Sequence, residues 1–305
     1  MNVATLTDRF CFVEERGYMI LLHGRRRTMK VKVNGTLMAF DDFGSGPAVM
    51  MLHDFPFNRD MWRWQAKTLA NAGYRVIVPD LPGFGESGAP LGPYTLSSMV
   101  DDLVGLLKYL GIGRSVFLGL GMGGHLVFDL LKRHPRKVAA AGFIATTPHA
   151  ASQEERLLRD GQLELLRQEG PKALIEDIWQ KIDRQNGRAG SSSALLSLRA
   201  SMEAADPVGL SSALIALRDR RDFADYAGRL LLPTLVVGRD ADQAGLRDKN
   251  RLLKSVPPKC EKHFFSESGQ FVHLENPSEF HSVLVGFLDS LGNCRQRPEV
   301  LSKVA

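Results

Sequence analysis

The chain has 305 residues, 44% hydrophobic and 24% charged, with a formal net charge of +5. That length suits one large domain carrying an inserted subdomain, and the composition is that of a globular chain and not of a low-complexity one. Lys and Arg are spread along the sequence and no apolar run approaches the ~20 residues of a membrane span, so neither a nucleic-acid nor a membrane partner is expected.

At the N-terminus, the apolar stretch Tyr18-Met19-Ile20-Leu21-Leu22 is too short for a signal peptide, and Asp8, Glu14 and Glu15 precede it. The cytoplasm is the expected compartment. Two readings of residues 1–28 stand side by side. One is a flexible N-terminal arm. The other is a stretch that is not native protein, with Met29 as the true start and Arg25-Arg26-Arg27 as the translation of a purine-rich ribosome-binding site. The three cysteines, Cys11, Cys260 and Cys294, have neither metal-type spacing nor the look of a disulfide framework.

From Met29 onward, β-branched apolar runs alternate with helical patterns, which predicts an α/β fold with a mostly parallel sheet. The expected strands are Met29–Val33, Thr36–Asp42, Val49–Leu52, Arg75–Pro79, Ser115–Leu118, Ala140–Ala145, Thr234–Val237 and His263–Ser266. The first two read as an antiparallel lead-in. Helices are expected over Arg59–Ala72, Leu96–Leu110, Gly124–Arg133, Gly245–Lys254 and Ser278–Leu291. Residues 149–226 break the alternation. They are rich in Ala, Leu, Arg and Glu and read as a helical cap inserted between a core of 29–148 and 227–291. Residues 292–305 read as a mobile tail.

Several motifs follow in order. His53-Asp54-Phe55-Pro56 comes directly after a strand. Asp80-Leu81-Pro82-Gly83-Phe84-Gly85-Glu86-Ser87 follows the next one. Gly119-Leu120-Gly121-Met122-Gly123-Gly124 joins an apolar strand to an amphipathic helix. Pro233-Thr234-Leu235-Val236-Val237-Gly238 is a further strand, and Ser268-Gly269-Gln270-Phe271-Val272-His273-Leu274-Glu275-Asn276-Pro277 is a late loop. Together these resemble the α/β-hydrolase superfamily: its H-G-F-P oxyanion loop, D-x-x-G-x-G-x-S loop, G-x-S-x-G nucleophile elbow, acid strand and histidine loop. The cap and the Ala213–Asp222 stretch look most like the 3-oxoadipate enol-lactonase group.

The departures from the pattern fall on the chemistry. Gly121 stands where the resemblance implies the nucleophilic serine, and glycine has nothing to attack with. Gln270 stands at the position of the base, and an amide takes no proton near neutral pH. The acid position falls near Asp240 or Asp242, with Asp242 as the candidate after an insertion. Asp54 replaces the loop glycine and puts a carboxylate where it would oppose an oxyanion. His273 comes three residues after the base position and reads as a surface or supporting histidine. His125 reads as a helix residue, packed or exposed.

These departures predict a catalytically degenerate α/β-hydrolase fold. The scaffold is kept as a binder of a small molecule beneath the cap, or as a module for a protein partner or a second copy of the chain. The pocket is expected to draw on Asp54, Phe55, Met122, Phe271 and His273, with Phe57, Met61 and Trp62 as further candidates and with no cofactor or metal. One alternative is non-serine chemistry on the same fold (elimination, cyclisation or cofactor-free oxygen chemistry), with Asp54, His125 or His273 as base. A dinucleotide site is a weaker one. Gly119–Gly124 fits G-x-G-x-x-G, but it sits mid-chain and the next strand does not end in an acid.

Overall fold

A computed structural model describes residues 11–15, 18–23, 26–89, 92, 94–186, 193–239, 255–265 and 271–295. The strands are β1 (Cys11–Glu15), β2 (Tyr18–His23), β3 (Arg26–Val33), β4 (Thr36–Phe43), β5 (Ala48–Leu52), β6 (Arg75–Pro79), β7 (Ser115–Leu120), β8 (Val138–Ile144), β9 (Thr234–Arg239) and β10 (Glu261–Phe265). They form one ten-stranded sheet in the order β1-β2-β3-β4-β6-β5-β7-β8-β9-β10. β1 to β4 pair antiparallel, and β4 joins β6 antiparallel. From β6 onward every pair is parallel. The antiparallel lead-in is therefore present, with two more strands outside it, and β3 starts three residues before the expected Met29.

The expected helix over Arg59–Ala72 divides into a 3-10 turn, Arg59–Trp62, and α1 (Arg63–Asn71). α2 (Leu96–Tyr109) opens on a capping box between Thr95 and Ser98. α3 (Met122–Arg133) is buried from Met122 through Leu131. A helix apolar or small on nearly every face belongs in the middle of a domain, and α3 packs on β7 and β8. Between β8 and β9 lie α4 (Gln153–Glu169), α5 (Pro171–Asn186), α6 (Ser193–Glu203), α7 (Pro207–Arg218) and α8 (Ala224–Ala227). After β10 come α9 (Val272–Glu275) and α10 (Pro277–Arg295). The expected helix Gly245–Lys254 lies outside the described residues. Among the described residues, no helix is long and apolar enough to cross a membrane.

The Asp80–Ser87 loop is a folding device. Asp80 is fully buried and accepts from the backbone N–H groups of Arg59 and Glu86, each at 2.8 Å. The buried Arg59 guanidinium pairs with Asp80, Asp41 and Glu86. Burial, with a smaller push from the Asp41 charge, raises the Asp80 carboxyl to about 6, with Arg59 acting against the rise. Ser87 Oγ donates to Asp80 O at 2.7 Å and accepts from Ala39 N at 2.8 Å, which ties the loop to β4.

Candidate functional site

β7 carries only buried residues and ends at Gly121, whose φ of 52° and ψ of −111° turn the chain sharply into α3. A side chain strains this backbone and glycine does not. The flanking glycines serve a different end, close packing. A Cβ at Gly119 would stand 2.4 Å from the Gly123 carbonyl, and one at Gly123 would stand 2.4 Å from Leu52 O. The bend thus keeps the tight strand-turn-helix geometry that exposes a nucleophile at its apex, with no nucleophile on it.

The occupant of that apex comes from the neighbouring strand. Asp54, at the carboxyl end of β5 and 68 residues from Met122 in sequence, accepts on Oδ1 from Met122 N at 2.7 Å. The same oxygen accepts from Phe55 N at 2.8 Å. The amide after the elbow residue and an amide of the post-β5 loop are the two donors that hold an oxyanion in enzymes of this architecture. A Cβ on Gly121 would lie 2.2 Å from Asp54 Cγ, Oδ1 and Oδ2. The carboxylate therefore fills both the donor pair and the space of a nucleophilic side chain.

His53 fastens this loop. Its Nε2 accepts from Leu81 N at 2.9 Å, which leaves the ring proton on Nδ1, 3.0 Å from Asp54 O. Burial, with the Arg59 charge adding to it, lowers His53 to about 4, so the ring is neutral at physiological pH.

A cavity of about 190 Å³ opens above the bend, lined in part by Asp54, Phe55, Gly121, Met122, His125 and Thr146 from the core. The cap supplies Glu155, Arg159, Gln162, Lys181 and Arg220. Glu155 and Arg220 form an ion pair, and Lys181 pairs with Asp177 at 2.6 Å. His125 is 3% exposed, and neither ring nitrogen meets a hydrogen-bond partner. Burial, then the Arg220 charge, lowers it to about 3.

Of the sequence-predicted pocket, Asp54, Phe55, Met122 and Phe57 line this cavity, and Phe271 and His273 do not. Phe271 is fully buried and meets the Phe57 ring edge-on at 5.3 Å, so it backs the wall. His273 is no surface residue. It is fully buried, 4.9 Å from the Trp62 ring, at a separate recess that Met61 also lines. It follows Phe271 by two residues, about half a helical turn, and faces Trp62 and not the cavity. Gln270, Asp240 and Asp242 lie outside the described residues. The cap residues Glu155, Arg159 and Gln162 escaped the sequence reading. Their spacing of four and three puts them on one face of a helix, which is the signal that could have found them.

A sequence model of the alpha/beta hydrolase fold matches residues 47–277. The chain belongs to the α/β-hydrolase fold family. It is 37% identical over 127 residues to a bifunctional epoxide hydrolase 2 of Sus scrofa, an alignment that spans 39% of this chain and 23% of that protein. A thermophilic esterase from Thermogutta terrifontis superposes with a TM-score of 0.76 at 28% identity, over 87% of this chain and 98% of the esterase. The enol-lactonase from Burkholderia xenovorans gives a TM-score of 0.73 at 24% identity, over 85% and 99%.

Proposed function

We propose that this member of the α/β-hydrolase fold family is a non-hydrolytic binder of a small molecule, held between the elbow and the cap. The observation that carries the reading is the Asp54 carboxylate on the Phe55 and Met122 amides, in the space of the missing nucleophile. Acyl transfer needs an attacking group and two donors awaiting negative charge. Here position 121 has no side chain, and the donors already hold a full negative charge. The Gln270 side chain supplies no base. The epoxide-hydrolase and esterase relatives therefore share the scaffold, and their reactions are not carried over to this chain. We also infer a cytoplasmic location, which rests on the cysteine usage.

The test is hydrolysis of p-nitrophenyl acetate and butyrate by purified protein. No turnover above a matched albumin control is expected. Turnover abolished by Asp54→Ala would overturn the reading. It would favour the second reading instead, non-serine chemistry with Asp54 as the working carboxylate. His125 speaks for that second reading, because it is a neutral imidazole with unclaimed nitrogens in the same cavity.

A further inference from the structure

The face that α4 turns toward the cavity is polar. Glu155, Arg159 and Gln162 all line it, while Leu157 and Leu158 on the other side of the helix are 63% and 45% exposed. Farther along α4, Leu163 and Leu166 pack on the core, so the helix brings both a polar and an apolar stretch inward. The other cavity charges are internally matched. Glu155 pairs with Arg220 and also closes the capping box with Ser152. Arg220 further donates to His149 O and Leu217 O, and Lys181 is held by Asp177.

Arg159 differs. Its Nη1 donates to Gln162 Oε1 at 2.7 Å, and its guanidinium lies 5.6 Å from the centroid of the Phe55 ring. Its Nε is buried and meets no hydrogen-bond partner. Among the described residues, no carboxylate forms an ion pair with it. Burial works against its charge, and Asp54, which acts through space, only partly offsets that. A half-buried cation without a paired anion costs stability unless something supplies the anion. With Nη1 engaged and Nε shut off from the cavity, the Nη2 N–H groups remain to meet an anion.

We propose that the cavity binds a small organic carboxylate whose anionic group sits on Nη2 of Arg159. This rests on the reading of the chain as a small-molecule binder and names the ligand class. The ligand's body lies among Phe55, Ile178, Ile182 and Leu217. The cavity is below the ~300–1,000 Å³ typical of ligand sites, so the ligand is small.

The experiment is calorimetric titration at neutral pH with hexanoate and with the neutral, nearly isosteric hexanamide, on wild type and Arg159→Gln. Hexanoate should bind, and hexanamide should bind roughly tenfold more weakly or worse, as for loss of a charge-assisted bond. Arg159→Gln should erase the difference and, without ligand, melt no lower than wild type, because it removes an unpaired charge. Equal affinity for both compounds, unaffected by Arg159→Gln, would overturn the carboxylate assignment and leave the binder reading standing. Binding of neither would overturn both. A lower melting temperature for ligand-free Arg159→Gln would also count against the proposal, since it would mean the guanidinium is satisfied within the protein. If that variant does not fold, Arg159→Met removes the charge and keeps an apolar stem of similar reach, and undiminished hexanoate binding by it would overturn the proposal.

Discussion

A serine introduced at position 121 meets two obstacles. The backbone there, at φ 52°, costs a residue with a side chain roughly 1–3 kcal/mol. In addition, the new Cβ falls 2.2 Å from the Asp54 carboxylate. Gly121→Ser should therefore lower the melting temperature and leave the protein without esterase activity. Combining it with Asp54→Gly should recover part of the lost stability, so that the two changes are non-additive. Equal melting temperatures for the single and double variants would contradict the steric reading. Asp54→Ala alone strands the Phe55 and Met122 amides. It should cost about 1–3 kcal/mol, read from the urea midpoint, reduced to the extent that water reaches the two donors. The sequence already exposed this conflict at residue scale, because a carboxylate in place of a loop glycine can only oppose an oxyanion. That the carboxylate would lie on both donors was not legible, since it depends on how β5 sits beside β7.

Among the helices, α4 is weakly anchored. Only Gln162 of its residues is buried, and it is held at its start by the Ser152–Glu155 capping box and by the ion pair to Arg220. By contrast, α3 is buried from Met122 to Leu131. Hydrogen exchange should therefore open the amides of α4 well before those of α3 and β7. Simultaneous exchange of all three would show that cap and core open as one unit. Glu155→Gln leaves the Arg220 side chain, 5% exposed, without its anion. Glu155 itself is 41% exposed, so the loss should be about 1–2 kcal/mol and not the ~3–5 kcal/mol of a fully buried pair. Chemical denaturation of the variant measures it. That the described part of 149–226 is mainly helical was legible from its composition and its lack of strand-like alternation. Its inward polar face was not, because a charged helix in an insertion reads first as solvated surface. The split of Arg59–Ala72 shows a different limit. Asn58 caps the 3-10 turn through Asp60 N, and the Arg59 side chain is drawn into the Asp80 network. Periodicity does not reveal a tertiary tie of that kind.

The whole molecule carries a pH dependence set by its interior. His53, His125 and His273 are buried, and desolvation holds them near 4, 3 and 3. In the unfolded chain they titrate near ~6.5. Their folded-state pKa values are depressed, so stability is complete above about pH 6.5 and falls as pH drops toward 3–4, where the unfolded state takes up protons that the native state refuses. Asp80 acts in the opposite direction. Raised to about 6, it is protonated in the native state before the unfolded one and adds stability below that pH. Three histidines against one carboxyl leave a net uptake of about two protons on unfolding near pH 5. The urea midpoint should decline steadily from about pH 6.5 to pH 4, and His125→Gln should flatten the slope by roughly one proton. A midpoint that is flat or rises on acidification would contradict the assignment of three neutral interior imidazoles. At this scale the sheet was well legible, because long β-branched runs alternating with helices admit few other arrangements. The burial of His273 was not, because a histidine at the start of a short helix gives no hint that Trp62 and Phe280 enclose it.

The overlap of Asp54 with the side chain missing at Gly121 also has a historical meaning. Two groups that claim one volume can be exchanged one at a time only if the occupant leaves first. A chain with serine at the bend would have to give it up before an aspartate could settle on the donors. A descendant that mutated back at 121 alone would meet the newcomer already in place. The pair would act as a ratchet: a serine at 121 can be removed in a single step, and putting one there has to be prepared first at position 54.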